Sequence, residues 1–339
     1  TRTGQMLKFR RGLERIMADV DAPIVPVHLD QVWGSVFSFK HGKFFWKIPK
    51  LIPYPVTVSF GPPLPSTAKS HEVRQAVQEL STEAFSRRPQ TVKSLPAGFI
   101  RSAKSGGTAR CLADSSGTSL SWYSSLAAAL SLRSVLDEQL DAEEEMVGLA
   151  IPSSVPAALA NISLLMAGRT PVNLNWTASE AAVASAVSQC GLKTVIGCAA
   201  VEKKLPQLPG DCQVLPIEQL MLEISPGRKL LSLLQAVLGP GKLIERFWVA
   251  VGKPDQIATV LFSSGSTGTP KGVMLTHQNI SSNCTAMHEL FPLTKKDGIA
   301  GVLPMFHSFG FTGTLWYPLL SGCHVVYHGN PLATKEVGE

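Results

Sequence analysis

From Ser119 onward, helical stretches rich in Ala and Leu, at about 121–140, 154–167 and 178–190, alternate with short apolar runs at Val147–Ile151, Pro171–Leu174, Thr194–Ile196 and Thr259–Phe262. Alternation between a helical and a strand period predicts a layered α/β domain, each strand covered by the helix beside it. No internal repeat is visible. The chain has 339 residues, long enough for two domains. Its most apolar stretch, Val147 to Gly168, is broken by Pro152, Ser153, Ser154, Pro156 and Asn161. That stretch reads as a buried strand, a turn and a core helix, not as a membrane span.

The strand Thr259–Phe262 runs straight into Ser263-Ser-Gly-Ser-Thr-Gly-Thr-Pro-Lys-Gly272, followed by a second short strand, Val273–Leu275, and by Thr276, a candidate helix cap. Gly265, Gly268 and Gly272 permit backbone conformations that turn successive N–H groups inward around an anion. Ser263, Ser264, Ser266, Thr267 and Thr269 add hydroxyl donors, and Lys271 adds a point charge. A polyphosphate fits this donor set. The spacing is not that of a Walker A loop: Lys271 precedes its glycine, Pro270 has no N–H to donate, and the chain continues into a strand.

Six cysteines lie scattered, with no CxxC pair and no zinc-like His/Cys spacing, as expected of reduced core thiols in a cytosolic compartment. The net charge of +6 is concentrated at the front: residues 1–95 carry 14 Lys+Arg against 7 Asp+Glu, leaving the rest close to neutral. An anionic surface or substrate is therefore expected for the front part alone. There, Ala22–Leu29 and Tyr54–Phe60 read as strands bounded by Pro and Gly. His71–Arg87 reads as a helix with Val73, Val77, Leu80 and Ala84 on one face and Ser70 as N-cap. The Ser-, Gly- and Lys-rich stretch between these parts is expected to be a linker, which sets the boundaries at 1–90, 91–116 and 117–339.

Ser263–Asn279 closely resembles the phosphate-loop motif of the adenylate-forming superfamily, which includes acyl-CoA and acyl-carrier-protein ligases, peptide-synthetase adenylation domains and luciferases. Three further stretches resemble its motifs in the expected order. They are Ser119-Leu-Ser-Trp-Tyr123, Leu164-Leu-Met-Ala-Gly-Arg-Thr-Pro-Val-Asn-Leu174 and Pro304-Met-Phe-His-Ser-Phe-Gly310. The resemblance implies that Ser263, Ser264, Gly265, Ser266, Thr267, Gly268, Thr269 and Lys271 hold ATP phosphates. It also implies that Pro304, Phe306, His307 and Gly310 border the acyl pocket, with Mg2+ as the accompanying ion. A satisfied loop histidine is the other account of His307. The superfamily's Tyr-Gly-x-Thr-Glu stretch for magnesium and adenine, its ribose-binding Asp, its hinge and its C-terminal lysine are not found, so the chain is expected to be inactive alone.

Thr1-Arg2, Gly4–Gly12 and Ala22-Pro-Ile-Val-Pro-Val27 resemble the second half of a glycerolipid acyltransferase domain. The resemblance implies that Thr1 and Arg2 touch a glycerol phosphate, for which a guanidinium fork is suited. No His has Asp five positions on, so the catalytic pair of that family is absent and the chain is expected to begin inside the domain. The segment 33–50 interleaves aromatics with Lys40, Lys43, Lys47 and Lys50. It suits an anionic membrane interface or, equally, a loop packed on its own domain, and it carries no nucleic-acid-binding motif.

The fold class that follows is α/β, the C-terminal part of a glycerolipid acyltransferase domain ahead of the N-terminal part of an adenylate-forming domain. Such a fusion resembles the bifunctional acyl-carrier-protein synthetase/2-acylglycerophosphoethanolamine acyltransferases. The resemblance implies fatty acid, acyl carrier protein or CoA, and a lysophospholipid as partners, at the cytoplasmic face of a bacterial inner membrane. The alternatives are a fatty-acid–CoA ligase with a degenerate front domain, and a front part that only binds membrane.

Overall fold

The computed structural model describes residues 6–33, 35, 38–39, 54–87, 94–250, 253–263 and 270–330. The chain divides into two compact units, Thr1–Pro89 and Gln90–Glu339.

In the first unit, helix α1 (Gly12–Met17), strands β1 (Val27–Asp30) and β2 (Thr57–Phe60) and helix α2 (Ser70–Ser86) follow in order. The two strands pair antiparallel, with Val27 opposite Phe60. Both are shorter than expected from the apolar runs. Pro23, Pro26 and Pro55 lack the N–H a ladder needs, and Ile24 makes only an isolated bridge to Leu64. Helix α2 buries Val73, Val77, Leu80 and Ala84. Its cap is Lys69 and not Ser70: the Lys69 N–H donates to the Glu72 carboxylate at 2.6 Å, while the Ser70 hydroxyl donates to the Arg10 carbonyl at 3.1 Å. Ile24, Ala68 and Val73 form a small core, with Phe9, Leu13, Met17 and Leu64 packed against it.

The second unit opens on α3 (Leu95–Gly106) and β3 (Arg110–Asp114), in the stretch expected to be a linker. Leu95, Phe99, Ile100 and Ala103 recur on one face and are fully buried, while Ser102, Lys104 and Ser105 supply the polar face that resembles a loop. Ser94 caps this helix by accepting from the Ala97 N–H. Then come β4 (Ser119–Ser121), α4 (Trp122–Gln139), β5 (Met146–Ala150), α5 (Val155–Met166), β6 (Thr170–Asn173), α6 (Glu180–Cys190) and β7 (Thr194–Gly197). Next are α7 (Ala199–Glu202), β8 (Gln213–Pro216), α8 (Ile217–Leu222), α9 (Pro226–Leu238) and α10 (Gly241–Trp248). The remainder is β9 (Ile257–Ser263), β10 (Lys271–Thr276), α11 (His277–Leu290), β11 (Gly298–Gly301), a π-helical segment Gly310–Trp316, α12 (Tyr317–Ser321) and β12 (His324–Tyr327).

Two sheets organise these elements. A six-stranded sheet has the order β10-β9-β6-β5-β7-β8, parallel throughout except for β10, which pairs antiparallel with β9 at the edge. A four-stranded sheet has the order β11-β12-β3-β4, with β4 antiparallel. Helix α5 lies against β5 and β6 of the first sheet and β3 of the second, and all its residues but Pro156 are buried. A helix apolar on every side belongs at such a centre. Ser154 caps α5 by accepting from the Ala157 N–H, and Pro156 occupies its first turn. Among the described residues no helix is long and apolar enough to cross a membrane. All six cysteines are free thiols.

Candidate active site

Because β5, β6, β7 and β9 run parallel, their C-terminal ends share one edge of the six-stranded sheet, where open α/β sheets bind ligands. Asn173 of β6 pairs with Leu261 of β9, so β9 runs on past its neighbour and presents Ser263 at that edge. The chain returns with Lys271 directly opposite Ser263, and both side chains are exposed. The hydroxyl and the ammonium therefore stand as a cross-strand pair at the mouth of the connecting segment. Ser264, Gly265, Ser266, Thr267, Gly268 and Thr269 lie outside the described residues, as do Thr1, Arg2 and most of 33–50.

Three contacts fix this hairpin. Gly272 pairs directly opposite Phe262 of β9, where an added Cβ would sit 3.1 Å from Val260 and 3.2 Å from the Phe262 ring. At the far end Thr276 accepts from the Asn279 N–H at 3.1 Å and donates its own N–H to the Asn279 side chain at 3.0 Å, a reciprocal cap that starts α11. At the exit of the connecting segment, Gln189 on α6 donates to the Pro270 carbonyl at 3.0 Å.

The 304–310 segment is held at the same edge. Ser153, three residues beyond β5, donates its hydroxyl to the Leu303 carbonyl at 2.8 Å. Met305 and Phe306 are buried, Pro304 is half-buried and His307 is exposed. The His307 ring lies 4.9 Å from that of Phe306, its N–H donates to the Pro304 carbonyl at 3.1 Å, and its carbonyl accepts from Phe311 at 2.8 Å. Gly310 is pressed against the start of this turn, where an added Cβ would lie 2.1 Å from the Pro304 carbonyl oxygen. Asp114, at the end of β3, accepts from the Val155 N–H at 3.0 Å and so ties the second sheet to the N-terminus of α5. Ser153, Gln189 and Asp114 were not anticipated. Each acts through a backbone partner distant in sequence, which no local pattern marks.

His277, the first residue of α11, is buried, and its Nδ1 accepts from the Leu95 N–H at 3.2 Å. Burial lowers its pKa to about 4, so the ring is neutral with its proton on Nε2. Among the described residues no three His, Cys, Asp or Glu side chains converge as a metal cage.

The solved N-terminal subdomain of Klebsiella oxytoca NpsA, in complex with 3-hydroxybenzoyl-AMSN, has this fold. The TM-score is 0.57 at 19% identity, over 71% of this chain and 55% of that one. The second unit thus has the α/β architecture of the N-terminal subdomain of adenylate-forming enzymes. Among curated proteins, the anthranilate–CoA ligase of Pseudomonas aeruginosa is 31% identical over 183 residues, covering 52% of this chain and 33% of the ligase. The medium-chain-fatty-acid–[acyl-carrier-protein] ligase JamA of Moorena producens is 40% identical over 74 residues, covering 21% of this chain and 12% of JamA. The chain spans a third or less of the length of these relatives. The AMP-binding enzyme family model matches residues 99–337, beginning inside α3. On that match, which takes in the whole sheet edge described above, the chain belongs to the AMP-binding enzyme family.

Proposed function

We propose that this chain grips ATP in an enzyme that activates a fatty acid as its acyl-adenylate and passes the acyl group to a thiol on an acyl carrier protein or CoA. The observation that carries the reading is the pairing of Ser263 with Lys271 at the sheet edge to which Ser153 also holds the 304–310 segment. In the proposed reaction a carboxylate oxygen attacks the α-phosphorus of ATP, the bond to the bridging oxygen breaks and pyrophosphate leaves. A thiolate then attacks the acyl carbonyl and AMP departs. Ser263 to Thr269 and Lys271 hold the β- and γ-phosphates, and Pro304, Phe306, His307 and Gly310 flank the acid. Such a site works by positioning and by stabilising developing charge. Any Mg2+ here would be held chiefly by the phosphates, a common arrangement for an ion that keeps most of its waters.

The finer reading couples this step to acyl transfer onto a lysophospholipid such as 2-acylglycerophosphoethanolamine, at the cytoplasmic face of a bacterial inner membrane. Its support is the basic front part and the Thr1-Arg2 and Ala22–Val27 stretches. A simple acyl–CoA ligase is the second reading, favoured by the similarity to a CoA ligase.

Calorimetric titration of the chain with MgATP tests the first step. Binding is expected, and Lys271→Ala is expected to weaken it about 10- to 100-fold, the worth of a charge-assisted hydrogen bond. No nucleotide binding, or binding indifferent to Lys271, would refute the assignment of the loop.

A further inference from the structure

Helix α9 presents its residues in the opposite sense from an ordinary surface helix. Ser232 and Ala236 are its buried residues, whereas Leu230, Leu231, Leu233, Leu234, Val237 and Leu238 are exposed, Leu238 at 74%. At 100° per residue those six fall within one arc of about 160°, opposite Ser232 and Ala236. Helix α10 continues the pattern, burying Ile244 and exposing Leu243 and Phe247, the latter at 70%.

The orientation of α9 is fixed by contacts on its buried side. The Arg228 guanidinium donates to both carboxylate oxygens of Glu138 on α4, at 3.2 and 2.5 Å. The Lys104 ammonium on α3 donates to the carbonyls of Ala236 and Val237 at 2.9 Å each, capping the last turn. A rotation that hid the leucines would break all four bonds.

The charges around this face are predominantly positive. Between Pro226 and Trp248 the ionisable residues are Arg228, Lys229, Lys242, Arg246 and the lone carboxylate Glu245. Lys229 borders the apolar arc of α9, and Lys242 and Arg246 are exposed on α10 beside Leu243 and Phe247. Long cationic side chains can lay their stems along apolar surface and lift their heads to a polar layer. Leu and Val are under-represented among the anchors of protein–protein interfaces. An apolar helical face edged by Lys and Arg instead suits the headgroup–acyl boundary of a membrane.

We propose that the α9–α10 face docks on a phospholipid bilayer carrying anionic headgroups. The inference goes beyond acid activation and stands without it, since binding can be read with no ATP and no turnover. The test is flotation of the whole chain with vesicles of phosphatidylcholine alone or mixed with phosphatidylglycerol. Flotation is expected with the anionic vesicles and should weaken in high salt. Lys229→Gln/Lys242→Gln/Arg246→Gln should lower partitioning about 100-fold, from the attraction each cation feels near an anionic surface. Leu234→Gln/Leu238→Gln/Phe247→Ser should lower it at least about tenfold. The charge variant alters exposed side chains only and serves alone if the apolar variant misfolds. Replacing the lysines of segment 33–50 with Gln should leave partitioning unchanged. Three results overturn the proposal: a chain that stays in the aqueous fraction, flotation that only the 33–50 variant abolishes, or a soluble dimer that the leucine variant dissociates without any vesicle binding.

Discussion

Asn161 and Asn173 exchange side-chain amides across the interface of α5 and β6: Asn161 donates to Asn173 at 3.2 Å, and Asn173 donates back at 2.9 Å. Asn161 also donates to the Ala157 carbonyl at 2.9 Å and meets the Met305 sulfur at 3.7 Å. Both residues are buried. A closed polar pair at the centre of the domain thus touches the start of the 304–310 segment. Asn161→Ala leaves the Asn173 amide buried without its partner, at a cost of about 2–3 kcal/mol. The double variant Asn161→Ala/Asn173→Ala should cost clearly less than the two singles together. Urea unfolding of the four proteins measures this, and strict additivity would show that the amides are not coupled.

Gly310 should tolerate no side chain. Its Cβ would meet the Pro304 carbonyl oxygen at 2.1 Å, a backbone atom that cannot swing aside. Gly310→Ala must therefore open the turn between Pro304 and Gly310. We expect a loss of roughly 1–3 kcal/mol, typical of overpacking, read as a lower urea midpoint, while affinity for MgATP stays unchanged. A variant with wild-type stability would show that the turn is looser than its geometry.

Ser153→Ala separates positioning from folding. The Ser153 hydroxyl bond to the Leu303 carbonyl is a neutral contact worth about 1 kcal/mol, so melting should move little. If this bond aims the 304–310 segment, calorimetric affinity for a fatty acid should fall while affinity for MgATP stays unchanged. Unchanged fatty-acid affinity would reduce Ser153 to a packing residue.

Much of the framework was legible because it depends on local patterns. The Ala/Leu stretches lie close to α4, α5 and α6, and the apolar runs lie at β5, β6, β7 and β9. Thr276 caps α11 as expected, because its hydroxyl and Asn279 stand three residues apart. Helix α3 escaped notice because its buried residues are interleaved with Arg101, Ser102, Lys104 and Ser105. The leucines of α9 could not be assigned to core or surface from the sequence, since their orientation is set by Glu138 and Lys104 on other helices. The hydroxyls, glycines and Lys271 of the loop are conspicuous in composition. Gln189 and Ser153 are not, because each bonds a backbone carbonyl, at Pro270 and Leu303, that carries no residue identity.

The pH dependence of stability should carry the mark of His277. Its ring is buried, Nδ1 accepts from Leu95, and Nε2 has no hydrogen-bond partner among the described residues. Burial lowers its pKa from 6.5 to about 4. Between those values the unfolded chain binds a proton that the folded chain refuses, so stability rises with pH. The contribution is complete above about pH 6.5 and is lost as pH falls toward 4, for a total of about 3 kcal/mol. His277→Asn keeps a polar group at the position but removes the titration, so its stability curve should be flatter from pH 7 to pH 4.5 by most of that amount. Urea midpoints followed by tryptophan fluorescence across this range give the comparison. Equal slopes for the two proteins would mean that the imidazole is protonated inside the fold. The link from α11 to α3 would then be an N–H facing a donor, which the observed geometry does not allow.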